Sequence, residues 1–569
     1  MKNLLEALDI DLSSISDDRI RHAFELLFNI VEDLSAENRR LLEENRRLRD
    51  EINRLKGEQG RPNIKGDKRP SEISRGGGDT SSESERKKSN KKSGKKKSKK
   101  GRLRIHKREI CHVNKDELPD DAEFKGYQSV VIQDVKVISE NIEFKKEVYY
   151  SPSQKKTYMA ALPLGYEGEF GPNLKALVIV MYFVANMTQP KILAFLENYH
   201  VRISSATLSN ILIKDKEMFH HEKTALYEAG LQWSSYQQTD DTSARVNGEN
   251  HYTHVVCNAL YTAYFTTKRK DRLTVLDVLR NFRARHYVFD EQTYSFLEKF
   301  NLSAKLIGRL KQQLPYDQVL NQSEMESLLD NQALKLGKIQ KTRILESAAI
   351  SAYQKEVDHP VVKLLVSDDA PQFKLLSEEL ALCWIHDGRH YKKLSPVIAY
   401  HINCLEAFLI QYWEYYQKLC AYKQTPSQTA ADRLSQEFDE LFSTVSGYNA
   451  LDERIAKTRQ KKTELLMVLK YPEIPLHNNQ SELAARIKVR KRDISLQTKT
   501  KEGTQASDTF LSIAETSRKL GVNIYEFIFD RISQKFQLPS LADIIRRKAL
   551  NSEISPIKSE AKTIYSATI

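Results

Sequence analysis

Gln237-Gln-Thr-Asp-Asp-Thr242 is the stretch from which the fold is read. Tyr236 to Thr239 has strand character, and it runs into two adjacent acids. The same arrangement recurs in Leu364-Leu-Val-Ser-Asp-Asp369, where Val361 to Val366 is a compact apolar run of the kind buried in a mixed sheet. A third acid closes His477-Asn-Asn-Gln-Ser-Glu482, at the start of a helix. Hard oxygen ligands brought together from separate elements are what magnesium or manganese needs for phosphoryl transfer. Side chains alternate faces along a strand, so one acid of each pair is expected at a common site. Asp240 competes with Asp241, and Asp368 with Asp369. On residue type alone, a double Asp after a strand reads equally as a turn or a helix cap.

Outward from these segments, His254 to Leu260 and Ala263 to Thr267 read as further strands, and Leu382 to Ile385 as another. Arg272 to Phe282 reads as a helix. Residues 291–358 are mostly polar and helical, and a second helical insertion spans roughly 390–475, aromatic around Tyr412 to Tyr416. From Ser481 a helix carries Arg486, Lys488, Arg490, Lys491 and Arg492. Upstream, Pro172 opens an apolar segment reaching Tyr199, and Ser204-Ser-Ala-Thr-Leu208 starts a second helix with Ser or Thr as N-cap. Residues 163–233 therefore read as a helix-turn-helix that binds DNA or as a plain helical hairpin. Alternation over 128–137 and 142–150 predicts a small β unit within 109–162. Residues 531–569 read as a peripheral tail.

The first 57 residues carry an a/d heptad. Ile20, Leu27, Leu34, Leu41, Leu48 and Leu55 form one seam; Phe24, Val31, Asn38, Asn45 and Ile52 form the other. Asn at a favours a parallel two-stranded coiled coil, hence a homodimer, and a helix packed on its own chain is the alternative. Residues 58–108 are rich in Gly, Ser, Pro, Lys and Arg and read as a disordered basic linker. The stretch Arg86 to Arg108, which includes Lys95, Lys96 and Lys97, holds fourteen Lys and Arg and no acid, more than the whole net charge of +13. Such a tract attracts a polyanion, most directly DNA. The five cysteines form no CxxC pair, no signal peptide is visible, and the longest apolar run is far short of a membrane span. The expected compartment is a reducing, intracellular one.

Asn478-Asn-Gln-Ser-Glu-Leu-Ala-Ala-Arg486 resembles the Asn-Asn-x-x-Glu-x-x-x-Arg motif of the IS66-family transposases. Asp240-Asp-Thr242 resembles that family's Asp-Glu-Thr, Cys383-Trp-Ile-His-Asp-Gly-Arg389 its Cys-Trp-x-His segment, and Ser512 to Phe527 its C-terminal helix pair. The motifs occur in order from about 162 to 530. The resemblance implies a multidomain α/β chain with an RNase H-like mixed sheet at 234–530. It implies a triad of Asp240, Asp368 and Glu482 holding Mg2+ or Mn2+, with Asp368 five residues before Phe373. It also implies attack of water on a phosphodiester at the end of a mobile element, and then attack of the freed 3′-hydroxyl on double-stranded target DNA. Arg486, Lys488 and Arg492 are then candidates for gripping phosphate, and Asn478, Asn479, His386 and Arg389 for supporting the carboxylates. Three departures stand out. Only Cys111 and His112 occupy the place of the family's zinc ribbon, so no structural zinc is expected. His477 replaces an Asp. The 291–358 stretch lengthens the gap between the first two aspartates. The competing readings are a non-catalytic DNA-binding dimer and a metal-dependent nuclease of the same fold.

Overall fold

The computed structural model describes residues 12, 15–55, 105–114, 119, 122–330 and 335–551. Most of the basic linker, with Lys95, Lys96 and Lys97, lies outside them, as do residues 552–569. The N-terminal helix is α1 (Asp18–Leu55). Residues 105–147 contain no strand where described; β character is confined to the hairpin β1 (Val148–Ser151) and β2 (Lys156–Met159). The β unit predicted over 109–162 is thus reduced to its last dozen residues. Among the described residues nothing covers the alternating side chains upstream: Val130, Ile132 and Val135 are all exposed, so the alternation has no face to bury there.

Four helices follow: α2 (Pro172–Phe183), α3 (Gln189–Glu197), α4 (Ser205–Ile213) and α5 (Glu217–Gln232). The apolar segment expected to run unbroken to Tyr199 is divided, because Asn186 takes a left-handed φ of 56°. Ser204 is the N-cap of α4 and accepts from the Thr207 amide at 3.0 Å.

Next comes the central sheet. Strands β3 (Gln237–Val246), β4 (Glu249–Cys257) and β5 (Thr262–Thr267) form an antiparallel meander. After α6 (Arg272–Leu279) the chain builds a helical excursion of β6 (Tyr287–Val288), α7 (Glu291–Lys299), α8 (Ala304–Gln313), β7 (Val319–Leu320), α9 (Gln322–Leu329) and α10 (Lys338–Gln354). It returns as β8 (Leu364–Ser367), parallel to β3, and then β9 (Glu379–Leu382), parallel to β8. The order is β5-β4-β3-β8-β9. The strand predicted at 382–385 lies three residues earlier. Its supposed second half begins α11 (Trp384–Lys392), because the Trp384 amide leaves the sheet to donate to the Leu476 carbonyl at 3.0 Å.

The second insertion holds α12 (Ala399–Tyr422), α13 (Gln428–Leu441), α14 (Asn449–Arg459), α15 (Lys462–Leu465) and α16 (Met467–Lys470). Its core forms around Trp384, fully buried against Tyr412, Tyr415, Phe438 and Phe442, with the indole N–H donating to the Leu465 carbonyl. The chain then returns to the sheet as α17 (Asn479–Ser495) and α18 (Lys501–Leu520), followed by α19 (Ile524–Ile532) and α20 (Leu541–Leu550). Val255, Cys257 and Tyr264 face Ala484 and Ala485 of α17 and Leu511 of α18.

Helix α18 covers the edge strand β5 with side chains spaced by one helical turn. Asp508, Ser512 and Thr516 accept from the amides of Thr266, Tyr264 and Thr262. Four residues of helix advance about 6 Å and two residues of strand about 6.6 Å, so the two rows stay in step. An edge that would otherwise present unpaired amides is closed. The tail predicted from 531 does not begin there. Ser540 caps α20, whose Leu541, Ile545 and Ala549 are buried, and the Leu541 amide donates to Glu222 of α5.

Candidate active site

The β3–β8 register decides which acids meet. Gln237 pairs with Leu365 and Gln238 with Val366. Carried forward at the same offset, Asp240 lies level with Asp368 and Asp241 with Asp369. Across the antiparallel pair, Asp240 lies opposite Val255 and Asp241 opposite His254. Opposed residues share a face, and Val255 belongs to the face covered by α17. Asp240 therefore points toward the helix that carries Glu482, and Asp241 points away from it.

Contacts separate the pairs further. Asp241 receives Lys270 Nζ at 3.1 Å and Gln372 Nε2 at 2.8 Å. Asp369 receives Lys374 Nζ at 2.9 Å and Lys461 Nζ at 2.5 Å. Burial would raise the Asp369 carboxyl, but the two lysines hold it below its ordinary range. Asp240 accepts from the Asp241 amide and Asp368 from that of Ala370. Burial first, and then the charges of Asp368, Asp241 and Glu482, push Asp240 up to about 7. Asp368 is raised as well, chiefly by burial.

Glu482 is delivered by the start of α17, and Asn478 fixes that start. Its Nδ2 donates to the Thr239 carbonyl at 2.7 Å, one residue before Asp240, and its backbone N–H donates to Cys383 Sγ at 3.2 Å. Glu482 is mostly buried, with Arg389 Nη2 at 3.2 Å, His386 Nδ1 at 3.6 Å and Arg486 Nη2 at 3.9 Å. His386 and Arg389, one helical turn apart on α11, also meet each other at 3.2 Å. Burial holds His386 below its ordinary range, so it is neutral at pH 7.

Divalent metal suits this donor set. Burial and the charges of Asp368, Asp241 and Glu482 raise Asp240, burial and the charges of Asp241 and Asp369 raise Asp368, and a cation would relieve both, but the donor atoms of Asp240, Asp368 and Glu482 do not all lie within 4.8 Å of one another. Two buried polar atoms beside them, His386 Nδ1 and Asn478 Oδ1, have no hydrogen-bond partner among the described residues. Among the described residues, the donor atoms that gather within 4.8 Å of one another are those of Cys383, His386 and Glu482. Burial pushes the Cys383 thiol up to about 11, so it is protonated at neutral pH and serves as an acceptor for Asn478.

Several residues named from sequence stand elsewhere. Lys488 is not a surface cation. It is buried and paired with Asp508 at 2.9 Å, because the face of α17 that carries it packs on α18. Arg486 is half exposed beside Glu482, and Arg492 donates to the carbonyl and hydroxyl of Ser243. Asn479 follows the pinned Asn478, with its amide on His477 Nδ1 at 3.3 Å. Lys270, Gln372, Lys374 and Lys461 were missed. Each lies in a loop or an insertion, with no spacing in the sequence that ties it to an acid.

A family model described as the IS66 family of transposases matches residues 167–298 and 364–506. The chain belongs to the IS66 transposase family. The match takes in all five strands of the sheet, the start of α17 and the second insertion, and it omits 299–363, most of the first helical excursion. The chain is also 31% identical over 325 residues to the uncharacterized protein y4jO of Sinorhizobium fredii, a match that covers 57% of this chain and 100% of that protein. Among the described residues, no helix is long and apolar enough to cross a membrane.

Proposed function

We propose that this transposase cleaves and joins DNA at an RNase H-like site, with Asp240, Asp368 and Glu482 as the metal-holding carboxylates. The observation that carries the proposal is the pairing pattern. Asp240 lies on β3 and faces the helix that carries Glu482, Asp368 directly follows the end of β8 at the level that the β3–β8 offset sets, and Asp241 and Asp369 are engaged by lysines. The strand order, three antiparallel strands followed by two parallel ones, supports the RNase H-like reading of 234–530.

Mg2+ or Mn2+ held by the three carboxylates would supply Lewis acidity and lower the pKa of water. The chain supplies the rest. Asn478 sets the position of Glu482 against β3. Neutral His386 lies where it can take a proton near Glu482, and Arg389 and Arg486 place positive charge where phosphate oxygens would lie. In the first step, water oxygen attacks phosphorus, the P–O3′ bond breaks, and the leaving oxygen takes a proton to become the 3′-hydroxyl. In the second step, that hydroxyl attacks a target phosphodiester, a new P–O3′ bond forms, and a target 3′-oxygen leaves. Arg389 now rests on Glu482 and must share that carboxylate when metal binds.

The test is incubation of full-length protein with DNA carrying candidate element ends, with Mg2+ or Mn2+. Cleaved and joined products that disappear in Asp240→Ala, Asp368→Ala and Glu482→Ala support the reading. Undiminished products in all three variants overturn it. Cleavage without joining would favour a nuclease.

We further propose that α1 pairs with a second copy of itself. Leu34, Leu41 and Leu48 are 64%, 45% and 56% exposed, and the asparagines Asn38 and Asn45 lie beside them. The seam predicted from residue 20 is shortened, because Phe24 and Val31 pack with Phe28 on Val397, Ile398 and Tyr400 of the same chain.

A further inference from the structure

A small, half-open pocket lies at the far end of α17 from Glu482. Its walls come from the outer half of β3, the last turns of α17, the first turns of α18 and Tyr182 of α2. Four cations line it: Arg245, Lys488, Lys491 and Arg492. Lys488 has its counterion in Asp508. Lys491 has none. It is 5% exposed, its ammonium donates to the Tyr182 carbonyl and sits 3.6 Å from the centre of the Tyr182 ring, and no carboxylate of the described residues lies within ion-pair distance. The hydroxyls of Ser243 and Ser507 add donors to the same walls.

A buried ammonium without a counterion is costly, and a cavity that holds one beside guanidinium and hydroxyl donors suits an anion. Burial, with Lys488 nearby, has already pushed Lys491 down to about 7, which an entering anion would reverse. Position indicates which anion. Lys491 is nine residues beyond Glu482, roughly 13.5 Å along the axis of α17 but half a turn round it, and the pocket's Ser243 and Arg245 lie three and five residues beyond Asp240 on β3, roughly 10–17 Å along that strand. Phosphates of one strand advance about 3.4 Å each along B-DNA, so the separation is roughly four nucleotides. Between the two lie Arg486 and Arg490, both exposed.

We propose that this pocket receives a backbone phosphate of the DNA strand engaged at the carboxylates, about four nucleotides from the scissile bond, with Lys491 as its buried cation. The proposal rests on the active-site reading above for the direction in which the strand runs.

The test is a binding measurement on the full-length protein with duplex oligonucleotides of a candidate element end. Each duplex carries one neutral methylphosphonate at a successive position, and affinity is read by fluorescence anisotropy across a salt series. Wild type should lose affinity about ten-fold at one position near the fourth nucleotide. Lys491→Met should bind natural DNA about ten-fold more weakly, with a salt slope flatter by about one counterion, and be indifferent to the methylphosphonate at that position. Lys491→Arg should restore sensitivity there. Arg245→Ala, at the exposed mouth, repeats the comparison should Lys491→Met fold poorly, and a blunted response at the same position supports the pocket. Wild-type affinity and slope in both variants, or unchanged sensitivity at that position, overturns the proposal. Inorganic phosphate that raises the melting temperature of wild type but not of Lys491→Met, alongside a flat methylphosphonate scan, overturns it in favour of a small free anion. Because the readout is binding, a failed pocket is distinguished from a failed carboxylate assignment, which only the cleavage assay reports.

Discussion

Asp240 is the residue at which burial and charge conflict most directly. Its carboxyl moves from an ordinary 3.8 to about 7. An acid raised in the folded state stabilises the fold fully below its unfolded pKa, and that stability is lost as pH rises through the folded value. The metal-free protein should therefore lose stability from about pH 4 to about pH 7 through this group, by an amount on the order of a few kcal/mol. Asp240→Asn should lack that component and melt above wild type at pH 8 without metal. Mg2+ should stabilise wild type increasingly toward pH 7 and leave Asp240→Asn nearly unchanged. Thermal melts across pH with and without Mg2+ decide this; identical pH profiles for the two proteins would dismiss the assignment. The neighbouring acids give a second contrast. Asp369 is an ion-pair partner of Lys374 and Lys461, so Asp369→Asn should slow cleavage by no more than about ten-fold, whereas Asp368→Asn should abolish it. Equal losses would mean that Asp369 shares the metal. The sequence left both choices open. Alternation said that one acid of each pair faces inward; the register with β4, which sets Asp240 opposite Val255 and Asp241 opposite His254, supports the proposed choice of Asp240.

At the scale of elements, the first helical excursion acquires a role that its sequence did not disclose. Glu346 of α10 binds the Arg272 guanidinium at 2.6 Å, both side chains being 6% exposed. Arg272 in turn donates to the carbonyls of Lys374 and Pro371, which frame the loop carrying Gln372 just after Asp368 and Asp369. The excursion thus braces the loop behind the second aspartate. Glu346→Ala leaves a buried guanidinium unpaired and should cost about 3–5 kcal/mol. Arg272→Met with Glu346→Leu removes both charges and should recover most of that stability, while cleavage stays impaired because the two carbonyls have lost their donor. Denaturant midpoints beside cleavage rates separate the two effects; full recovery of cleavage in the double variant would make the brace purely structural. Elements were legible where period and breakers agreed, as in β5, α6 and the start of α17. They were missed where tertiary contacts decided. The β9–α11 boundary turns on an amide that leaves the sheet for Leu476. The 128–137 alternation has nothing to pack on among the described residues. Asp508, Ser512 and Thr516 read as a polar helix face until β5 is placed beneath them.

At the scale of the whole molecule, α1 has two surfaces with different obligations. Its first half is tied to its own chain. Glu32 accepts from the amides of Val397 and Ile398 at 2.7 and 2.9 Å, and Asn29 bonds the Gly447 carbonyl and the Asn449 amide. Burial alone would raise the Glu32 carboxyl; His401 and the two amides hold it below its ordinary range. Beyond Leu34 the heptad continues with Leu at d, Asn at a and no covering element among the described residues, for about three heptads or roughly 33 Å. That is enough for a two-stranded coiled coil, and the docked half fixes its exit from each catalytic unit. Sedimentation of the full chain should therefore give a dimer. Leu34→Glu with Leu41→Glu, which alters only the outward stripe, should give a monomer with an unchanged melting temperature. Asn38→Val with Asn45→Val should instead raise the stoichiometry, because the paired amides that disfavour larger assemblies are gone. A monomeric wild type at micromolar concentration would remove the dimer, while a dimer that survives the two glutamates would place its interface elsewhere. Glu32→Ala supplies the remaining arm. It should preserve the dimer but loosen the docked half, lowering the melting temperature without changing stoichiometry, since the contacts that orient the coiled coil are separate from those that close it.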